Sequence, residues 1–201
     1  MSGAPSRAVA VDTAAPGLAA AEHLAHEVDH ALAGLLAEDG PEGYVLSTHV
    51  SRVPVARFTA VVSWRGGPSA AEVAQRLLAA VPGLTPVDGA LVSDPELAPG
   101  AVEAAGEALR RTSGRLARYP GRSAVERRTT PAEAVSGSCL DAVVGLAGVT
   151  VSDTGVLDTT GFARPTWQGG RCTLLVQRGT GDVLLPFEVR DQVACCSDHH
   201  R

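Results

Sequence analysis

A chain of 201 residues, 45% hydrophobic and 19% charged, is long enough to bury one substantial core and too short for two comfortable domains. Its formal net charge of −5, without a long basic run, argues against nucleic-acid binding by phosphate neutralisation and against a polybasic membrane anchor. Lys, Asn and Ile are absent, a bias that points to a GC-rich genome and excludes lipoyl-, biotinyl- and Schiff-base lysines, a phosphate-loop lysine and N-glycosylation.

With only seven aromatic residues, Val, Leu and Ala must build the core. No basic-then-apolar start and no run of roughly 18 apolar residues occurs, which predicts a cytoplasmic protein without a membrane partner. The four cysteines lie between Cys139 and Cys196 and include a vicinal pair poorly shaped for mutual bridging, so reduced thiols are expected.

Residues 1–17, rich in Ala, Ser and Pro, read as a flexible start, and 18–201 as a single α/β domain. Leu24, Val28, Leu32 and Leu35 at helical spacing predict an amphipathic helix over 18–38. After Asp39-Gly40-Pro41-Glu42-Gly43, residues 44–51 and 53–64 read as two strands of a hairpin, Pro54 marking a bulge or edge. Ser69, with Glu72 three residues on, predicts a capped helix over 70–81. A short strand near Ala90-Leu91-Val92 precedes a helix expected from about Pro99 to Arg118, whose Arg110, Arg111, Arg115 and Arg118 suit the negative end of a helix dipole as a solvated cluster. Thr130, Pro131 and Glu133 predict a helix reaching about Leu146, with Cys139 in its apolar face. Residues 149–152, 172–176 and 183–196 read as strands.

Three constellations carry chemistry. His26-Glu27-Val28-Asp29-His30 fits the zinc-peptidase pattern, in which two imidazoles one turn apart hold a metal and Glu27 activates its water. Asp29 extends the likeness to the metal helix of peptide deformylases, although that family takes a third ligand from an upstream Cys and every Cys here lies downstream. The C-terminal run Cys195-Cys196-Ser197-Asp198-His199-His200-Arg201 has the residue types of a zinc site, but adjacent Cys on a strand point apart.

The third is an ordered series: Val149-Thr150-Val151-Ser152-Asp153-Thr154-Gly155, then Gly161-Phe162-Ala163-Arg164-Pro165, Leu174-Leu175-Val176, Leu184-Leu185-Pro186, and Asp198-His199-His200-Arg201. This order resembles the C-terminal half of the catalytic domain of 2-oxo acid dehydrogenase acyltransferases and chloramphenicol acetyltransferase. The resemblance implies a two-layer α/β sandwich with a mixed sheet covered by helices. It also implies transfer of a small acyl group between a coenzyme A or acyl-carrier-protein thioester and an acceptor, in a homo-trimer. Matched position by position, Ser152 falls on the oxyanion-stabilising Ser and His199 or His200 on the general base. Residues 1–147 carry no diagnostic match, and the family's His-x-x-x-Asp-Gly is represented by Asp198-His199-His200-Arg201 alone.

The expectation is therefore an acyltransferase-like protein, in specialised metabolism, with a thioester as substrate and no covalently bound cofactor. Two alternatives stand beside it. One is a zinc hydrolase using His26, Glu27 and His30; the other is a non-catalytic assembly protein on the same fold.

Overall fold

A computed structural model of the chain describes residues 7–37 and 43–189. Among the described residues it is an α/β structure with a twelve-stranded mixed sheet. The strands are β1 (Arg7–Ala15), β2 (Val45–Ser51), β3 (Arg57–Trp64), β4 (Thr85–Val87), β5 (Ala90–Val92), β6 (Arg115–Arg118), β7 (Arg128–Thr129), β8 (Ala142–Gly145), β9 (Leu157–Asp158), β10 (Thr166–Gln168), β11 (Arg171–Arg178) and β12 (Leu184–Pro186). The helices are α1 (Leu18–Leu32), α2 (Ala70–Ala80), α3 (Ala98–Arg110), α4 (Arg122–Val125) and α5 (Pro131–Ser136). The strands run β4-β5-β1-β3-β2-β6-β10-β11-β12-β9-β7, with β8 added beside β11.

In the first half, β1 and β2 flank β3 and both pair with it antiparallel. The connection β1-α1-β2 is therefore a split βαβ unit with β3 inserted. Alternation along β1 sends Val9 and Val11 to one face and Ala10 to the other. Leu24, Val28 and Leu32 of α1 and Val73 and Leu77 of α2 pack on the first face, against Val9, Val11, Leu46, Val62 and Trp64. On the opposite face Ala101, Ala104 and Ala108 of α3 meet Ala10, Val61 and Val92, small residues that let helix and sheet approach closely. Helices thus cover both faces here, where two layers are expected from the sequence. In the second half β6 and β10–β12 with α4 and α5 enclose another core around Leu116, Tyr119, Leu140, Trp167, Cys172 and Leu174. Each large side chain buried in these cores contributes about 1.5–3 kcal/mol relative to exposure.

Several boundaries differ from the sequence expectation. The segment read as a flexible start carries β1, a central strand paired on both sides. α1 ends at Leu32, six residues early, because Gly34 follows at φ +74, a left-handed position that stops helix propagation. The second hairpin strand begins at Arg57, and Pro54 lies in the preceding loop. α3 ends at Arg110: Arg111 adopts φ +55 and Thr112-Ser113-Gly114 turns the chain into β6, so Arg115 and Arg118 lie on a strand and not on a helix. α5 ends at Ser136 before Gly137, placing Cys139 in a turn and residues 142–145 in β8. Residues 149–152 form no strand; of the strand expected over 183–196 the described residues show Leu184–Pro186, and the part from 190 onward lies outside them. Among the described residues no helix is long and apolar enough to cross a membrane.

Candidate functional site

At the seam between the two halves, α1, β6, α4 and the 162–164 loop surround an open cleft of about 940 Å³. Leu18, Glu22, Ala25, His26 and Asp29 recur at three- and four-residue spacing on α1 and form one wall. Arg115, Ala117 and Arg118 of β6, Arg122 of α4, and Phe162 and Arg164 form much of the rest. A strict alternation would send Arg118 to the face opposite Arg115. The β2–β6 register shifts, however, so that Leu116 pairs with Ser47 and Arg118 with Leu46, and this bulge aims both arginines into the cleft.

Glu22 is the hub of the inner wall. Its Oε2 accepts from Arg164 Nη2 at 2.8 Å and its Oε1 from Arg164 Nε at 3.1 Å, a forked pair, and Oε1 also accepts from Arg115 Nη1. Burial pushes the Glu22 carboxyl up, but the hydrogen bonds and charges of Arg164 and Arg115 outweigh it and hold the pKa at about 2. Arg115 Nε donates to Glu188, and Arg164 Nη1 lies 3.5 Å from Glu126 Oε1. Arg122 Nε is 2.8 Å from the other oxygen of Glu126. At the far end Arg118 Nε lies 3.5 Å from Asp29 Oδ1, which also accepts the Tyr44 hydroxyl. Arg164 stacks 4.2 Å over the Phe162 ring and Arg118 5.1 Å over Tyr44.

Among the described residues the lining carries four guanidinium groups and the two carboxylates of Glu22 and Asp29, while Glu126 and Glu188 steady the arginines without lining the cleft. A guanidinium offers five N–H donors and a carboxylate fork takes two, so such an array positions donors for a further anion in a partly water-excluded space. Leu18, Leu46, Ala117 and Val189 give the same cleft an apolar component.

The sequence-predicted site residues fall as follows. His26 lines the cleft, whereas Glu27 pairs with His23 at 3.5 Å and His30 is exposed without lining it. Among the described residues no three His, Cys, Asp or Glu side chains gather into a set that could hold a metal. Ser152 is exposed in a turn, its hydroxyl 3.3 Å from that of Thr154, and it does not line the cleft. His199, His200 and the Cys195-Cys196 pair lie outside the described residues. Arg115 and Arg118 escape sequence reasoning because their segment reads as a helix end; Thr112-Ser113-Gly114, three turn-forming residues in succession, is the legible signal against that reading.

Two other polar clusters are closed. Asp12, fully buried, accepts from Arg57 Nε at 2.7 Å, Thr59 Oγ1 at 2.8 Å and the Ala14 N–H at 2.9 Å. The remaining nitrogens of Arg57 reach the carbonyls of Val53, Val55 and Leu97, tying β1, β3 and the start of α3 together. His49 bridges Ser47 Oγ and Glu107 Oε2, each at 2.9 Å. Burial lowers the His49 pKa while Glu107 works to raise it. This is the order of a nucleophile relay, yet Ser47 is fully buried, so the cluster is structural.

Comparison of the chain with protein-family models, curated proteins and solved structures finds no match.

Proposed function

We propose that the cleft between α1 and β6 binds a small anionic molecule, its phosphate or carboxylate groups held by Arg115, Arg118, Arg122 and Arg164. The carrying observation is the convergence of four guanidinium groups from β6, α4 and the 162–164 loop on one cleft whose lining, among the described residues, holds two carboxylates. Structural ion pairs alone need no open space, and an array with a cavity of about 940 Å³ has room for a ligand of cofactor size. Calorimetric titration with inorganic phosphate, pyrophosphate, citrate and coenzyme A, against neutral sugars, tests this reading. Anions bind, the neutral compounds do not, and Arg164→Ala weakens binding by about tenfold or more. Absence of binding by every anion, or binding indifferent to Arg164→Ala and Arg115→Ala, overturns it.

A second reading, acyl transfer from a coenzyme A or acyl-carrier thioester on a chloramphenicol acetyltransferase-like homo-trimer, is favoured by one further observation. Beside the four guanidinium groups the cleft carries an apolar strip of Leu18, Leu46, Ala117 and Val189, the combination that a phosphate-bearing thioester with an apolar acyl arm would use. In this reading the arginines hold the donor's phosphates and His199 or His200 takes the acceptor's proton. Ser152, outside the cleft in this chain, is the weaker part of the assignment. Release of free thiol from acetyl-coenzyme A, lost in His199→Ala or His200→Ala while coenzyme A still binds, supports it; no turnover by wild type with bound coenzyme A removes the catalytic part.

A further inference from the structure

Outside the cleft the structure holds a second reactive cluster. Cys139 Sγ and Cys172 Sγ lie 3.9 Å apart, one in the turn between α5 and β8 and the other on β11. Both are fixed by their backbones. The Cys139 N–H donates to the Pro120 carbonyl at 3.1 Å, the Cys172 N–H donates to Asp141 Oδ2 at 2.7 Å, and the Asp141 N–H returns to the Cys172 carbonyl at 2.8 Å. The turn 137–141 is thereby clasped to β11, with the two thiols facing each other across the clasp. A disulfide needs about 2.05 Å between the sulfurs, so closure asks for roughly 2 Å of movement, which a side-chain rotation in a turn residue can supply.

We propose that Cys139 and Cys172 form a dithiol site that reduces a hydroperoxide and becomes a disulfide. Cys139 is half-buried and is the sulfur a small oxidant reaches; Cys172 is buried behind it. Arg111, whose guanidinium stacks 4.7 Å over Trp167 beside Cys172 in the β10–β11 register, brings a positive charge close to the pair. The hydrogen bond to Cys139 and then burial hold the Cys172 thiol well above its ordinary pKa, so it waits as the protonated partner.

In the first step the Cys139 thiolate attacks the peroxide. The O–O bond breaks, a sulfenic acid forms at Cys139, and the displaced oxygen takes up a proton and leaves as an alcohol or water. In the second step Cys172 sulfur attacks Cys139 sulfur, the S–O bond breaks, and water leaves with the Cys172 proton. Two thiols and one hydroperoxide thus give one disulfide, one alcohol or water, and one water.

Peptide mapping of the whole chain decides the matter. With no Lys, and with Pro165 protecting the bond after Arg164, trypsin separates Cys139 on peptide 129–171, Cys172 on 172–178 and the Cys195-Cys196 pair on 191–201. After mild hydrogen peroxide treatment of the native protein, peptides 129–171 and 172–178 should appear linked. In urea the yield of that species should fall by about tenfold, because the folded pair owes its rate to proximity. In Cys172→Ser, Cys139 should instead accumulate as a sulfenic acid trapped by dimedone. Recovery of both peptides with alkylatable thiols at a dose that oxidises 191–201, or linkage of either to 191–201, overturns the proposal. The wild-type map is sufficient even if the variant misfolds.

Discussion

The two arginine-carboxylate clusters of this protein use the same side chains in opposite ways. Around Asp12 and Arg57 one carboxylate meets one guanidinium, each almost completely buried, and every remaining nitrogen of Arg57 is turned to a carbonyl. Around Glu22 four arginines share a cleft open to solvent. The first cluster has no room and no excess of charge at its centre. The second has room, although its four guanidinium groups are matched by Glu22, Asp29, Glu126 and Glu188, and that room separates a binding site from a structural knot more clearly than any count of ion pairs.

The comparison breaks most visibly at Arg57. Arg57→Ala leaves the Asp12 carboxylate buried with its charged partner gone, which costs about 3–5 kcal/mol of stability in chemical denaturation. Arg164→Ala in the cleft leaves Glu22 near solvent with Arg115 still beside it. Its main effect falls on ligand binding, about 1.5–3 kcal/mol, with a smaller change in stability. Were the cleft only another structural knot, the two substitutions would destabilise alike and neither would touch anion affinity.

Acid sharpens the contrast. Glu22 titrates near 2 in the folded protein against 4.5 when unperturbed, so its stabilisation is whole above pH 4.5 and is lost as pH falls toward 2. Allowing for solvent screening, the contribution is on the order of 1–2 kcal/mol. Glu22→Gln should flatten that part of the pH-stability curve and tighten anion binding by removing a negative charge from the lining. The smallest effect belongs to His49. Its folded pKa lies below 6.5, so its neutral form contributes stability above about pH 6.5 that declines as pH falls below it. His49→Gln should remove this shallow slope, read from denaturation midpoints between pH 7 and 5.

Local rules made the capped helices readable: Ser69 with Glu72 and Thr130 with Glu133 form the capping boxes their spacing suggests. The hairpin of β2 and β3 was visible in its β-branched runs. β1 was not, because Ala8, Ala10, Ala14 and Ala15 dilute the strand signal, and only long-range pairing with β3 and β5 gives the segment its place. The cleft was half legible. Its α1 wall repeats at helical spacing, but the four arginines converge through a β-bulge and through a loop lying 142 residues from Glu22 in the chain, neither of which periodicity encodes. The thiol pair joins positions 33 residues apart through the turn after α5, a turn that the expected longer helix erased.

The central claim is that the arginine cleft takes an anion. Titration calorimetry of wild type and the Arg115→Ala/Arg164→Ala pair with pyrophosphate, at low and at high salt, addresses it most directly. The account predicts saturable one-site binding by wild type, weakened as salt rises and reduced by about tenfold or more in the double variant. A folded double variant that binds as tightly as wild type, or a wild type that binds no anion at low salt, would contradict it.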